Sequence, residues 1–260
     1  MGTDIWEPLK SELDRWYKAG KVADFWLRDD DAVSPTLALA QLRDLSVRHS
    51  VPVTLAVIPE HTGHSLAEYL NDWSLATVAV HGWSHTNFAS EHEKKQELGE
   101  HRPIAVITAE LKAGLNRLAA LHDGRFVPVL VPPWNRIAPS LVGTLAGLGF
   151  QALSVFGPEK IGPLPMINTH VDLMDWHGTR GARDHAALVE DIIHRLQVMF
   201  AGGGSMGFLT HHLVHDESAW RFLDTLFNQT ASHPACRWTA LPDLLIQTSG
   251  SDVEHLSFPG

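Results

Sequence analysis

Short apolar runs alternate with longer amphipathic stretches along almost the whole chain, and this alternation limits the possible folds more than any other feature. Val22–Leu27, Pro52–Ile58, Ala76–Val80, Phe126–Val131 and Met206–Thr210 have the length and residue types of strands, as do segments around Gln151–Phe156 and Met166–Leu173. Helical periodicity predicts helices over Asp4–Ala19, Ser34–His49, Ser65–Asn71, Ile104–Leu121, Pro139 to near Gly149, Ala182–Phe200 and Glu217–Thr230, with a short element Cys236–Leu245 at the end. Gly20 reads as the stop of the first helix, and Ser34-Pro35 as an N-cap followed by a first-turn proline. Strands joined by helices pack as a mainly parallel sheet, and the repeat count and size suit barrel-like closure better than an open, split sheet. The expected class is therefore α/β, a distorted barrel-like (β/α) fold, and with no dividing linker the expectation is one domain over 1–260.

Reactive side chains follow these strands. The triplet Asp29-Asp30-Asp31 follows the first, His81 the third, Pro132-Pro133-Trp134-Asn135 the strand Phe126–Val131, and His211-His212 the strand Met206–Thr210. Barrel enzymes assemble their sites at this rim from residues far apart in sequence. His81-Gly82-Trp83-Ser84-His85 spaces two imidazoles so that both can face one ion if Gly82–His85 form a helical turn. With a carboxylate from the triplet they make a ligand set acceptable to zinc, and three protein ligands leave room for water. Each motif is weak alone. The chain has 17 histidines in 260 residues, and adjacent carboxylates usually mark a solvated loop or helix start. Their shared position past strand ends is what argues for a site.

Composition excludes several functions. Acidic residues outnumber basic ones by 30 to 20, and no cluster of lysines and arginines offers a stripe for nucleic acid or anionic membrane surfaces. Cys236 is the single cysteine, so no intrachain disulfide forms and at most one sulfur could ligate a metal. No apolar run approaches a membrane span, and the N-terminal residues lack a basic stretch leading into an apolar core, so a cytoplasmic protein is expected. The polar stretch Glu91–Arg102 reads as a solvated loop or helix turn, and oligomeric state is left open.

Five segments in order resemble the short motifs of the polysaccharide deacetylase-like proteins, which carry the NodB homology domain of carbohydrate esterase family 4. They are Asp30-Asp31, His81-Gly82-Trp83-Ser84-His85, Val131-Pro132-Pro133-Trp134-Asn135, Asp172-Leu173-Met174-Asp175-Trp176 and Leu209-Thr210-His211, and the resemblance runs from about Ala23 to Leu245. It implies a NodB-type fold and a metal-dependent deacetylase acting on an N-acetylated saccharide or related small amide. Asp31, His81 and His85 would hold a divalent ion, zinc by preference, and Asp30 would accept a proton from the attacking water. His211, oriented by Asp175, would protonate the departing amine, while the backbone N–H of Trp134 would help stabilise the oxyanion. Trp83, Trp134, Asn135 and Arg28 would face the substrate. His212 and His215 rival His211 as the acid, although strand alternation turns His212 to the opposite side. Trp26 and Trp176 read as packing residues.

The chain departs from those motifs at three positions. Gly82 stands where the family often has Ser or Thr, Val131 replaces an arginine that orients the base, and Asn135 replaces a glycine. Arg28 or Arg136 could supply the missing guanidinium. Other readings follow from other residues. Gly203-Gly204-Ser205-Met206-Gly207 matches a serine-hydrolase elbow, but with the helix before it and the strand after, the reverse of what an elbow needs. Two histidines and a carboxylate also suit ferrous iron, although an oxygenase has no use for the neighbouring Asp30. A binding relative that lost turnover would explain Val131 and Asn135.

Overall fold

The computed structural model describes residues 4–254, with side chains over 4–248. In chain order the elements are α1 (Glu7–Lys18), β1 (Ala23–Ala32), α2 (Leu37–His49), β2 (Val53–Val57), α3 (His64–Asn71), β3 (Ala76–His81), α4 (Ile104–Leu121), β4 (Phe126–Val131), α5 (Pro139–Val142), α6 (Leu145–Leu148), β5 (Ala152–Leu153), β6 (Val171–Asp172), α7 (His185–Gly202), β7 (Met206–Thr210), α8 (Glu217–Thr230), β8 (Cys236–Trp238) and α9 (Leu241–Glu254). The class is α/β, and the strand pairings described below are parallel, as the alternation implied.

Four expectations needed correction. The first strand continues through the acidic triplet instead of ending before it, so Asp29 and Asp30 are buried inside β1. The cap of α2 is Thr36, whose Oγ1 accepts from the Leu39 amide, and Ser34-Pro35 precedes it. The Pro139 helix is two short pieces separated by Gly143-Thr144. The strands expected around 151–156 and 166–173 shrink to two residues each, since much of that stretch is loop anchored by Asn168, which binds the Val155 amide and the Gly157 carbonyl.

The residues form two compact units. One contains the chain up to Asp30, Pro35–Val53 and Thr169–Thr239; the other contains Asp31–Ser34, Thr54–Asn168 and the chain from Ala240 on. In the first, β1 lies between β7 and β8, with β6 beyond β7; Leu27 is in register with Phe208, Asp29 with Thr210, and Asp172 with Leu209. Phe25, Phe208 and Trp238 form an aromatic cluster there, and α1 meets α7 through Trp16 edge-on to Phe200. In the second, the strand order is β5-β4-β3-β2, and α4 covers β3 and β4 with Ile107, Leu111, Leu115 and Leu118. All five residues of β2 are buried, the pattern of a strand covered on both faces. Among the described residues no helix is long and apolar enough to cross a membrane.

At the end of α4 the His122 ring is buried at 2 % exposure, with no hydrogen-bond partner for either nitrogen among the described residues. Burial, helped by the nearby Arg125 cation, pushes its pKa down to about 4 from 6.5. The unfolded chain therefore takes up a proton near pH 6.5 that the folded chain refuses until about 4. The contribution is complete above pH 6.5 and is lost as pH falls toward 4, by about 3 kcal/mol at most. Urea unfolding of His122→Leu should show a stability slope shallower by about one proton across that window. An unchanged slope would mean that this imidazole is not the buried neutral group described.

Candidate active site

β3 ends at His81 and β4 at Val131, and the two residues are in register. A carbonyl can only accept, so His81 Nδ1 carries the proton and donates to Val131 O at 2.9 Å. That leaves the lone pair on Nε2, which points at Asp31 Oδ1 3.1 Å away, while His85 Nε2 lies 3.3 Å from the same oxygen. The His81 lone pair and the Asp31 carboxylate thus meet at one point beside His85 Nε2, where a shared cation would reconcile them. The donor atoms of Asp31, His81 and His85 all lie within 4.8 Å of one another, the only such group among the described residues. A backbone carbonyl fixing the outer nitrogen of a ligating histidine is the usual support of a metal site, so these residues fit a divalent ion. Asp31 reaches the group because its φ of 73° breaks the alternation of β1.

The loop after His81 is not the helical turn that the spacing suggested. Gly82 and His85 both adopt left-handed φ of 58°, and the chain wraps around Glu97. Glu97 Oε1 accepts from the amides of Trp83 (3.1 Å) and Ser84 (2.8 Å) and from Ser84 Oγ (3.3 Å), and Oε2 accepts from the His85 amide (3.1 Å). Glu97 is 1 % exposed, so the reading of Glu91–Arg102 as solvated fails at its centre; burial pushes its pKa up, and the amide bonds oppose that shift. Sequence reasoning missed this residue, and only the neighbouring apolar Leu98 hinted at burial. The same geometry explains the first departure from the motifs. A Cβ on Gly82 would sit 2.3 Å from Glu97 Oε2 and 2.7 Å from the Pro133 ring. Gly82→Ala should therefore lower the melting temperature and weaken metal binding, with backbone strain alone costing about 1–2 kcal/mol. Calorimetry and metal titration would check this, and wild-type values in both would contradict the packing.

Trp134 and Asn135 also take left-handed φ, 54° and 57°. Asparagine tolerates that region better than other non-glycine residues, which accounts for Asn135 in place of glycine. The Trp134 ring lies 4.3 Å from the His85 ring, and both Trp83 and Trp134 are partly exposed.

In the first unit the remaining acids of β1 have separate partners. Arg28, fully buried, grips Asp30 through Nε to Oδ1 (2.9 Å) and Nη2 to Oδ2 (3.1 Å). Its guanidinium lies on Asp30, and the enclosed side chain offers no exposed surface where substrate contact was expected. Arg136 is engaged elsewhere, donating to Lys95 O. Asp29 accepts from the His212 amide and Thr210 Oγ1 and pairs closely with His212 Nδ1. Burial works against its ionisation, but His212, His215 and the Thr210 hydroxyl together outweigh burial and hold Asp29 below the usual range. His212 is thus a buried partner of Asp29, on the side that alternation indicated.

His211 follows β7, with the Trp176 ring edge-on at 4.7 Å. His211 acts electrostatically on Asp172, whereas the groups that shift Asp175 belong to its own turn. Asp175 is half-buried and closes a turn by accepting from the amides of Gly178 and Thr179, which lower its pKa. Asp172 accepts from Trp176 Nε1 at 2.8 Å and from the Met174 amide; burial raises its pKa, and the His211 charge pulls it back. Trp26 is core as expected, whereas Trp176 is 41 % exposed beside His211. His215 is pushed by burial down to about 4, so at neutral pH it has no proton to give. Ser205 lies between α7 and β7 after two left-handed glycines, and its carbonyl accepts from Arg195, which is a helix stop and not a nucleophile elbow.

No protein-family model and no curated protein matches the sequence. Solved structures do match the fold. A Mycobacterium smegmatis protein described as a polysaccharide deacetylase aligns with TM-score 0.69 at 15% identity over 90% of this chain and 92% of that one. The family 4 carbohydrate esterase from Streptomyces lividans, solved with acetate, aligns with TM-score 0.52 at 16% identity over 80% of this chain and 86% of its own. A carbohydrate esterase family 4 pseudoenzyme, solved as a mutant with restored activity, aligns with TM-score 0.59 at 15% identity over 86% and 68%. The likeness establishes the NodB-type (β/α) fold expected from the motifs.

Proposed function

We propose that the protein is a metal-dependent deacetylase acting on an N-acetylated saccharide or a related small amide. The observation that carries this reading is the convergence of Asp31, His81 and His85, with Asp30, the residue before the carboxylate ligand, gripped by Arg28. A divalent ion held there, zinc by its donor set, would polarise the carbonyl and lower the pKa of water. Asp30 takes the proton from the attacking water, and it keeps lone pairs for this because Arg28 occupies only one site on each oxygen. The two-point grip fixes the orientation of the carboxylate, the role that an arginine at the position of Val131 would otherwise serve. His211 gives a proton to the departing nitrogen, because an amine leaves poorly as an anion. Asp172, held by Trp176, is the carboxylate in electrostatic reach of that imidazole, the place first expected of Asp175. The Trp134 N–H supplies the oxyanion donor, and the rings of Trp83 and Trp134 offer faces for a sugar.

The likeness to carbohydrate deacetylases and esterases supports the reading. A second reading, a binding protein without turnover, is favoured by Val131 and by the likeness to a pseudoenzyme. The test is acetate release from a panel of N-acetylated sugars by zinc-loaded protein. Release of acetate with a free amine is expected. Bound metal without acetate from any amide would select the second reading, and failure to bind a divalent ion would refute the deacetylase reading.

A further inference from the structure

We propose that Glu97 is the positioning residue of the His85 arm of the ligand set, an internal anion around which the loop 82–85 is moulded. The inference rests on the metal reading above and adds a residue that none of the five motif-like segments contains.

Trp83, Ser84 and His85 present consecutive amides to one carboxylate, the concave arrangement by which a backbone nest binds an anion. Here the anion comes from the chain itself, and at 1 % exposure it is shielded from solvent. The two histidines depend on different supports. His81 lies in β3 and is fixed by Val131 O, whereas His85 lies outside any strand, at a left-handed φ, with its amide on Glu97 Oε2. Glycine at 82 belongs to the same device, because any Cβ there would displace that oxygen.

The division between the two oxygens makes the role testable. Oε1 serves Trp83 and Ser84, and Oε2 serves His85. In Glu97→Gln the carbonyl oxygen keeps the larger set by replacing Oε1, which turns the –NH2 group toward the His85 amide so that two donors face each other. The substitution should loosen His85 and spare His81. A residue that merely staples the loop would lower stability and leave metal affinity and coordination unchanged.

The experiment uses the full chain, wild type and E97Q, with zinc affinity measured by chelator competition, the absorption spectrum of the cobalt-loaded protein, and amide exchange of the metal-free protein. For E97Q we expect zinc affinity lower by roughly 10–100-fold, the usual cost of an outer-shell partner. Altered cobalt bands and faster exchange at the His85 amide than at Trp83 or Ser84 should accompany it. If E97Q does not fold, Glu97→Asp, which keeps the charge but draws it back by one methylene, should show the same loss of affinity. Wild-type affinity and an unchanged cobalt spectrum in a folded variant would overturn the role of Glu97 alone. A wild-type protein that binds neither zinc nor cobalt would overturn the metal reading and this inference together.

Discussion

His81→Ala should leave the purified protein without stoichiometric metal and without amide hydrolysis. His81 contributes one of three converging donors, and its outer nitrogen is already fixed by Val131 O, so its position needs no induced ordering. Removing it leaves a carboxylate and a loop-borne imidazole, and the loss should exceed the roughly 10–100-fold that an outer-shell partner costs. Metal analysis after dialysis checks this, with His177→Ala, an exposed histidine, as the control. His212→Ala is a poor control despite lying off the metal site, because it strands the buried Asp29 carboxylate at a cost of about 3–5 kcal/mol. Full metal retention in His81→Ala would show the ligand assignment to be wrong.

His211→Ala should keep its metal and lose roughly a hundredfold or more in amide hydrolysis, the scale of general acid catalysis. An ester with an activated leaving group needs little protonation, so the variant should cleave it nearly as fast as wild type. The ratio of the two rates therefore distinguishes a lost acid from a damaged site. His215 is excluded by its pKa of about 4, which leaves it neutral where the enzyme would work. Equal slowing of ester and amide, or a selective amide defect in His215→Ala, would remove His211 from that role.

The parts of the site legible from sequence are those governed by local rules. Side-chain type and period place β3 and β7, and a polar residue after an apolar strand falls at the carboxyl end of a parallel strand wherever that strand packs. This is why the places of His81 and His211 at strand ends could be read in advance, whereas Asp30 and Asp31 lie inside β1. Arg28 and Arg136 both stood as sources of a guanidinium, and the structure puts Arg28 on Asp30, two residues apart on one strand. Other local signals misled. Four-residue spacing suggested a helical turn between the histidines, which takes no account of Glu97 arriving from further along the chain, and adjacent acids suggested a solvated loop or helix start, which takes no account of the buried Arg28 and His212 that receive them.

The sequence by itself determined the α/β alternation, the strand ends where chemistry gathers, and which residue types stand there. Only the tertiary structure decided that Glu97 receives the amides of the loop 83–85, that Asp172 and not Asp175 lies in electrostatic reach of His211, and that Asp29 is spent on His212. The physical reason is that a carboxylate is assigned by the donors its surroundings leave unsatisfied. The amides of the loop with left-handed residues at 82 and 85 claim Glu97, which arrives from another segment, whereas the amides at 178 and 179 claim Asp175 within one turn, and neither pairing follows from helix or strand period.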